Sequence, residues 1–166
     1  MLLKMLATDA GFGMFWVRLP LAITMIVHGY EKLRNVPAFI ASCDNLGIPP
    51  LFAYLAVAGE FLGGLGVLLG CLSRIAAFGI GCTMAVAAVM RHIIPGYGYL
   101  MNWHGALPLG AEGYEFHTLA IGMALGIMFL GAGSFSLDAA IARRLARTAQ
   151  SEGVLEFEPV AARQGI

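Results

Sequence analysis

Residues 50–90 read PLFAYLAVAGEFLGGLGVLLGCLSRIAAFGIGCTMAVAAVM. This stretch holds two apolar runs, which are separated only by Leu72, Ser73 and Arg74. A helix needs about 20 apolar residues to cross a bilayer, and so short a connection is typical of an antiparallel hairpin. The stretch therefore predicts two spans, 50–72 and 75–90, the first opened by Pro50.

Two further apolar runs, 12–29 and 116–135, flank this hairpin. Hydrophobic residues make up 59% of the chain and charged residues 12%, which is far from the balance of soluble domains. We predict an all-α integral membrane protein: an antiparallel four-transmembrane-helix bundle within residues 1–142. A C-terminal cytoplasmic helix continues through Asp138 to Arg147, and residues 143–166 are assigned to a polar cytoplasmic tail.

The distribution of basic residues predicts the orientation and excludes one class of partner. Net charge is zero and the basic residues are scattered, so nucleic-acid binding is not expected. The positive-inside rule favours a multi-pass protein with both termini in the cytoplasm. Lys4, Arg74, Arg143, Arg144 and Arg147 lie on the inner side, against Lys32, Arg34 and Arg91 on the other.

Arg18 and Glu60 are charged residues inside predicted spans. A charge at that depth costs a few kcal/mol, so such residues usually face the bundle interior and pair. If the first two spans are antiparallel neighbours, their depths differ by about 4 Å. We predict an intramembrane ion pair between Arg18 and Glu60, which either fixes helix register or leaves Glu60 as a proton-carrying or ligand-binding carboxylate.

A second polar cluster is predicted at the outer end of the bundle. His28 ends the first span, and Lys32 follows four residues later. Arg91 and His92 end the third span, and His117 begins the fourth. No HxxxH or HxH spacing supports a metal site, and none is predicted. Hydrogen-bond donors beside an apolar cleft suit a quinone head group.

No intrinsic cofactor is predicted, because the chain has no haem motif, no nucleotide fingerprint and no CxxC pair. Cys43, Cys71 and Cys82 lie in separate parts of the chain. Whether the chain is an enzyme stays open at this point, and no catalytic residue is assigned.

Three motifs occur in order along the spans. They are HGxxKL at 28–33, GExxGGxxxxxG at 59–70 and a closing SLD at 136–138. Together they resemble the DoxX family of small bacterial membrane proteins, over about 12–139. The resemblance implies a bacterial inner-membrane protein with four helices, and in some relatives a link to thiosulfate oxidation with quinone as acceptor or to thiol stress. By analogy His28, Lys32, Glu60 and His92 would line a site.

Three hypotheses follow. The leading one is the membrane subunit of a quinone-linked redox system, part of a quinone-dependent oxidoreductase in which a membrane or soluble partner protein supplies the electron-carrying cofactor. The second is a small proton- or solute-translocating membrane protein that uses Glu60. The third is a scaffold whose glycine-lined helices bind a partner subunit, a surface that would also serve a homo-oligomer.

Overall fold

The computed structural model describes residues 11–94 and 113–151, and in these ranges the chain is helical with no strand. The helices are α1 (Gly13–Arg34), α2 (Val36–Asp44), α3 (Pro50–Leu69), α4 (Ser73–Ala88), α5 (Glu115–Leu130) and α6 (Leu137–Ser151). One π turn, Val89–Ile93, continues from the fourth of these helices.

The four longer apolar helices pack side by side in the order α1, α3, α4 and α5, with α5 also contacting α1. Small residues let the helix backbones approach closely. A β-carbon at Gly29 would lie 2.5 Å from the backbone nitrogen of Phe61, and one at Gly64 would lie 2.9 Å from that of Ile26. Since position 29 faces 61 and position 26 faces 64, α1 and α3 are antiparallel.

The core of the bundle is built from residues of all four helices. Its members are almost completely buried, and alanine is frequent among them, which keeps the helices close. The cluster contains Met14, Leu21, Ala22, Met25, Val67, Ala77, Ile80, Met84, Ala120, Ala124 and Ile127.

The outer surface of the bundle is apolar. Within the described residues, α3 and the segment Ser73–Ile93 are long and apolar enough to cross a membrane, and only 33% and 28% of their apolar windows are buried. A core helix of a soluble protein would be mostly buried instead. Large exposed side chains such as Leu62, Phe78 and Phe129 need an apolar surrounding. This pattern is that of a membrane protein.

The observed helix boundaries differ from the predicted spans at several points. α1 runs to Arg34, beyond the predicted end at residue 29. α3 ends at Leu69, not 72, because Gly70 adopts a left-handed conformation (φ +64°). α5 ends at Leu130, not 135, where Gly131 (φ +80°) and Gly133 (φ +81°) turn the chain.

The segment between the first two predicted spans contains the short helix α2. α2 begins after Asn35, whose side-chain Oδ1 accepts a hydrogen bond from the Ala38 amide at 3.2 Å. Pro37 lies in its first turn, where it is tolerated. At the other end of the chain, α6 extends to Ser151, so the first nine residues of the predicted tail are helical, and residues 152–166 lie outside the described residues.

Asp138 joins α6 to the turn between α3 and α4. Its carboxylate accepts hydrogen bonds from the Leu72 amide at 2.8 Å, the Ser73 amide at 3.0 Å and the Ser73 hydroxyl at 2.6 Å. Its own amide donates to the Gly70 carbonyl at 2.8 Å. The carboxylate thereby satisfies amides at the start of α4, which would otherwise lack helical partners. We call this side of the bundle the Asp138 end.

Candidate functional site

A cavity of about 980 Å³ lies at the opposite end of the bundle, bounded by α2, α3, α4 and the adjoining ends of α1 and α5. We call this the cavity end. Most of the wall is apolar, and Phe52, Leu55, Phe78 and Val86 line it while also being exposed. In the described part of the chain, the cavity is therefore open sideways along the outer face of α3 and α4. The polar side chains that line it are His28, Lys32, Glu60, Arg91 and His117, together with Cys43, Cys82 and Thr83.

Lys32 and Glu60 form an ion pair on the cavity wall. The Lys32 ammonium donates to Oε2 of Glu60, whose side chain is 1% exposed, against 24% for Lys32. The close approach of α1 to α3 at Gly29, one turn before Lys32, brings the two helices into reach. The Lys32 ammonium also lies 5.2 Å from the ring centre of Phe39. The cavity thus has a charged but paired group at one place on an apolar wall.

The predicted ion pair between Arg18 and Glu60 is not formed, and this prediction is wrong. Arg18 lies against Gly70, and its Nη2 donates to the Phe135 carbonyl at 2.8 Å. Glu60 and Gly70 are ten residues apart on α3, which is about 15 Å along a helix axis. The prediction assumed the wrong axial register of α1 against α3. In the structure α1 continues past its apolar run to Arg34, and Lys32, not Arg18, lies level with Glu60.

Three histidines, from α1, the π turn and α5, come together at the cavity end. The rings of His92 and His117 have their centres 4.9 Å apart, and the ring of His28 lies 5.5 Å from that of Phe116. His28 and His117 line the cavity, whereas His92 lies behind His117 and is not a lining residue. His92 is carried by the π turn, a feature frequent at functional sites.

Two polar atoms near this cluster are buried without a hydrogen-bond partner among the described residues. They are Nδ1 of His117 and Oε2 of Glu115. A buried polar atom that is left unpaired costs about 1–3 kcal/mol, so each is a candidate for contact with a bound group. The same part of the chain holds no group of three or more histidine, cysteine or acidic side chains able to bind a metal ion.

Phe39 and Cys43 on the cavity wall were not predicted from the sequence, whereas Arg91 was predicted at this end of the bundle beside His92. Arg91 lines the cavity and donates to the Ser42 hydroxyl at 2.9 Å, while Phe39 and Cys43 line it from α2. Cys43 is buried, and burial raises the pKa of its thiol above the ordinary value. The signal that could have found α2 is the Asn35 cap followed by apolar residues at helical spacing, Val36, Phe39, Ile40 and Cys43.

Of the residues predicted for the site, His28, Lys32, Glu60 and His117 line one cavity and His92 contacts His117. This juxtaposition of donors, one carboxylate and apolar walls can bind an amphipathic molecule with polar atoms at one end.

Comparison with known proteins gives one match. The family model DoxX matches residues 13–93, from the first residue of α1 to the last residue of the π turn. The residues at 28–33 and 59–70 that suggested this family lie within the match, and the SLD element at 136–138 lies outside it. No curated protein and no solved structure matches the chain. The chain belongs to the DoxX family.

Proposed function

We propose that this protein is a four-span inner-membrane protein that binds a quinone in the cavity, as the membrane subunit of a redox system. The observation that carries the proposal is the composition of one open cavity. Its walls are apolar, and its charged and histidine side chains come from α1, α3, α5 and the π turn. A quinone matches this pattern, because its ring carries two carbonyl acceptors and its tail is a hydrocarbon.

The cavity residues fit a quinone in size and in chemistry. A volume of about 980 Å³ is at the upper end of the range for sites that enclose a small organic ligand. His28, Lys32, Arg91 and His117 carry nitrogen atoms that can donate to the ring carbonyls. The exposed lining residues of α3 and α4 leave a lateral opening, through which an apolar ligand could enter from the bilayer.

Reduction of a quinone to a quinol takes up two electrons and two protons. Glu60 and the histidines can exchange protons at the cavity wall. Since no electron-carrying cofactor motif was found in the sequence, the electrons would come from a redox partner protein. On this proposal the chain provides the quinone site and the partner provides the reductant.

The proposed topology has α1, α3, α4 and α5 crossing the membrane, with both termini in the cytoplasm and the cavity end outside. Arg18 lowers the hydropathy of α1, but its side chain is 2% exposed and is bonded inside the bundle, so it would not face lipid. The 16 residues of α5 reach about 24 Å as a helix, and the extended segment after Gly131 lengthens that reach.

Calorimetric titration of the full chain in detergent micelles tests the proposal. The ligands are short-chain ubiquinone and menaquinone analogues, with protein-free micelles as the blank. We expect saturable binding, weakened at least about tenfold, or about 1.4 kcal/mol, by Ala87→Phe, which places a ring in the cavity.

The matched control is Ala85→Phe, the same change on the same helix at an exposed position outside the cavity wall. It should leave the affinity unchanged. Absence of saturable binding by the unmodified chain, or equal weakening by both variants, would contradict the proposal.

A further inference from the structure

The last helix, α6, differs from the helices of the bundle by being amphipathic. Leu137, Ile141 and Leu145 recur every four residues, so they share one face, and all three are exposed. Exposed leucine and isoleucine side chains along one helix face are unfavourable in water. The face therefore needs an apolar medium or a partner.

Outside this apolar face the charged side chains of α6 that are exposed are all positive, with Arg143 opposite the face and Arg144 and Arg147 on its flank. Arg143, Arg144 and Arg147 are exposed, and the one acidic residue of the helix, Asp138, is buried in the contact with the turn between α3 and α4. No acidic side chain of α6 is thus available to neutralise the three arginines. A helix with an apolar face and an arginine-rich face is typical of segments that lie in the membrane interface.

An aromatic cluster indicates the level of the membrane surface at this end of the bundle. The rings of Phe12, Phe15, Trp16 and Phe135 contact one another with centres 5.4–6.2 Å apart. Phe12, Trp16 and Phe135 are also exposed, as side chains of an interfacial aromatic belt would be. Phe135 precedes α6 by two residues, so α6 begins at the level of this belt.

Within the described structure, the buried residues of α6 lie in its first turn. Asp138 and Ala139 are buried there, whereas the residues from Ala140 to Gln150 are exposed or half-buried. The helix is 15 residues long, or about 22 Å. Most of its length therefore carries side chains that are exposed outside the bundle.

We propose that α6 lies in the membrane interface next to the aromatic belt and binds anionic phospholipid head groups through Arg143, Arg144 and Arg147. The apolar face would be immersed at the boundary of the acyl chains, and the arginines would reach the phosphates, which they bind with charge-assisted hydrogen bonds. An anionic lipid surface is the occupant that matches both faces at once. The inference does not depend on the ligand of the cavity.

Depth measurement by spin labelling of the full chain in lipid nanodiscs tests this inference. The three native cysteines are first replaced (Cys43→Ala, Cys71→Ser and Cys82→Ser), and retention of the melting temperature shows that the fold is kept. One nitroxide is attached after Leu145→Cys on the apolar face. A second, matched label is attached after Gln150→Cys, which is exposed on the polar side.

In nanodiscs that contain phosphatidylglycerol, we expect the label at position 145 to collide more with oxygen than with a water-soluble nickel chelate. The label at position 150 should show the reverse. In pure phosphatidylcholine, or after Arg143→Gln, Arg144→Gln and Arg147→Gln together, the label at 145 should become more accessible to the nickel chelate.

Three results would overturn the inference. Equal access of the nickel chelate to both labels would mean that α6 lies in water. Shielding of position 145 from both reagents would mean that protein covers it. If the depth of the label at position 145 changes neither with anionic lipid nor with the arginine substitutions, α6 is held by its apolar face without binding head groups.

Discussion

Glu60 carries a buried carboxylate on α3, and its counter-charge is the ammonium of Lys32 on α1. An ionised carboxylate inside an apolar helix needs a counter-charge or hydrogen bonds, so a pairing partner could be expected from the sequence alone. The choice between Arg18 and Lys32 depends on the axial register of α1 against α3. That register is set by close backbone contacts at Gly29 and Gly64, which hydropathy does not reveal.

The pairing of Lys32 with Glu60 predicts a coupled effect on stability. Lys32→Met should lower the free energy of unfolding by about 2 kcal/mol, since it leaves a buried carboxylate without a partner. This is less than the about 3–5 kcal/mol lost when a fully buried pair is broken, because the Lys32 side chain is 24% exposed. Unfolding by sodium dodecyl sulfate in mixed micelles measures the change.

The double variant Lys32→Met with Glu60→Met removes both charges and should recover most of that loss. Arg34→Met is a control, because Arg34 is exposed two residues further along the same helix. If the losses of unfolding free energy measured for Lys32→Met alone and for Glu60→Met alone simply add in the double variant, the two residues are not coupled.

Among the elements, the close packing of α1 against α3 requires glycine at position 29. On α5, by contrast, Gly126 makes no close contact that requires glycine. Gly29→Ala would place a β-carbon 2.5 Å from the Phe61 backbone nitrogen, so one helix must move. We expect a loss of about 1–3 kcal/mol in the free energy of unfolding, as for other overpacked cores.

Gly126→Ala on α5 is the matched control, since a β-carbon there meets nothing within 4 Å among the described residues. It should stabilise the helix by about 0.5–1 kcal/mol through its higher helix propensity. Both variants are compared in the same micelle unfolding assay. Equal effects of the two substitutions would show that the α1–α3 contact is looser than described.

At the scale of the molecule, the proposed topology makes a prediction about the two sides of the membrane. Asn45 follows α2 at the cavity end and Gln150 lies near the end of α6, with α3, α4 and α5 between them. Three crossings would place the two residues on opposite sides. In a cysteine-free background, Asn45→Cys should react with a membrane-impermeant maleimide in intact cells.

Gln150→Cys should react with the same reagent only after the membrane is permeabilised. Both positions are exposed, so a failure to react reports the side of the membrane and not burial. Labelling of both residues in intact cells would exclude three crossings between them. Labelling of Gln150→Cys alone would reverse the proposed orientation.

The sequence by itself determined that the chain is helical and apolar on its surface, since runs such as 50–90 can satisfy their backbone hydrogen bonds in a bilayer only as helices. It also identified His28, Lys32, Glu60 and His117 as polar residues at span ends or in a span, and these four line one cavity. Local composition is enough for such inferences, because the hydropathy of each residue can be read directly from the sequence.

Only the tertiary structure decided which charges pair and what forms the cavity wall. The partner of Glu60 depends on helix register, and the role of Asp138 depends on α6 returning to the turn at Ser73, 65 residues away along the chain. α2 adds Phe39 and Cys43 to the wall because it folds over the end of α3. These are long-range contacts, and they are set by the packing of whole helices, which no local pattern of the sequence encodes.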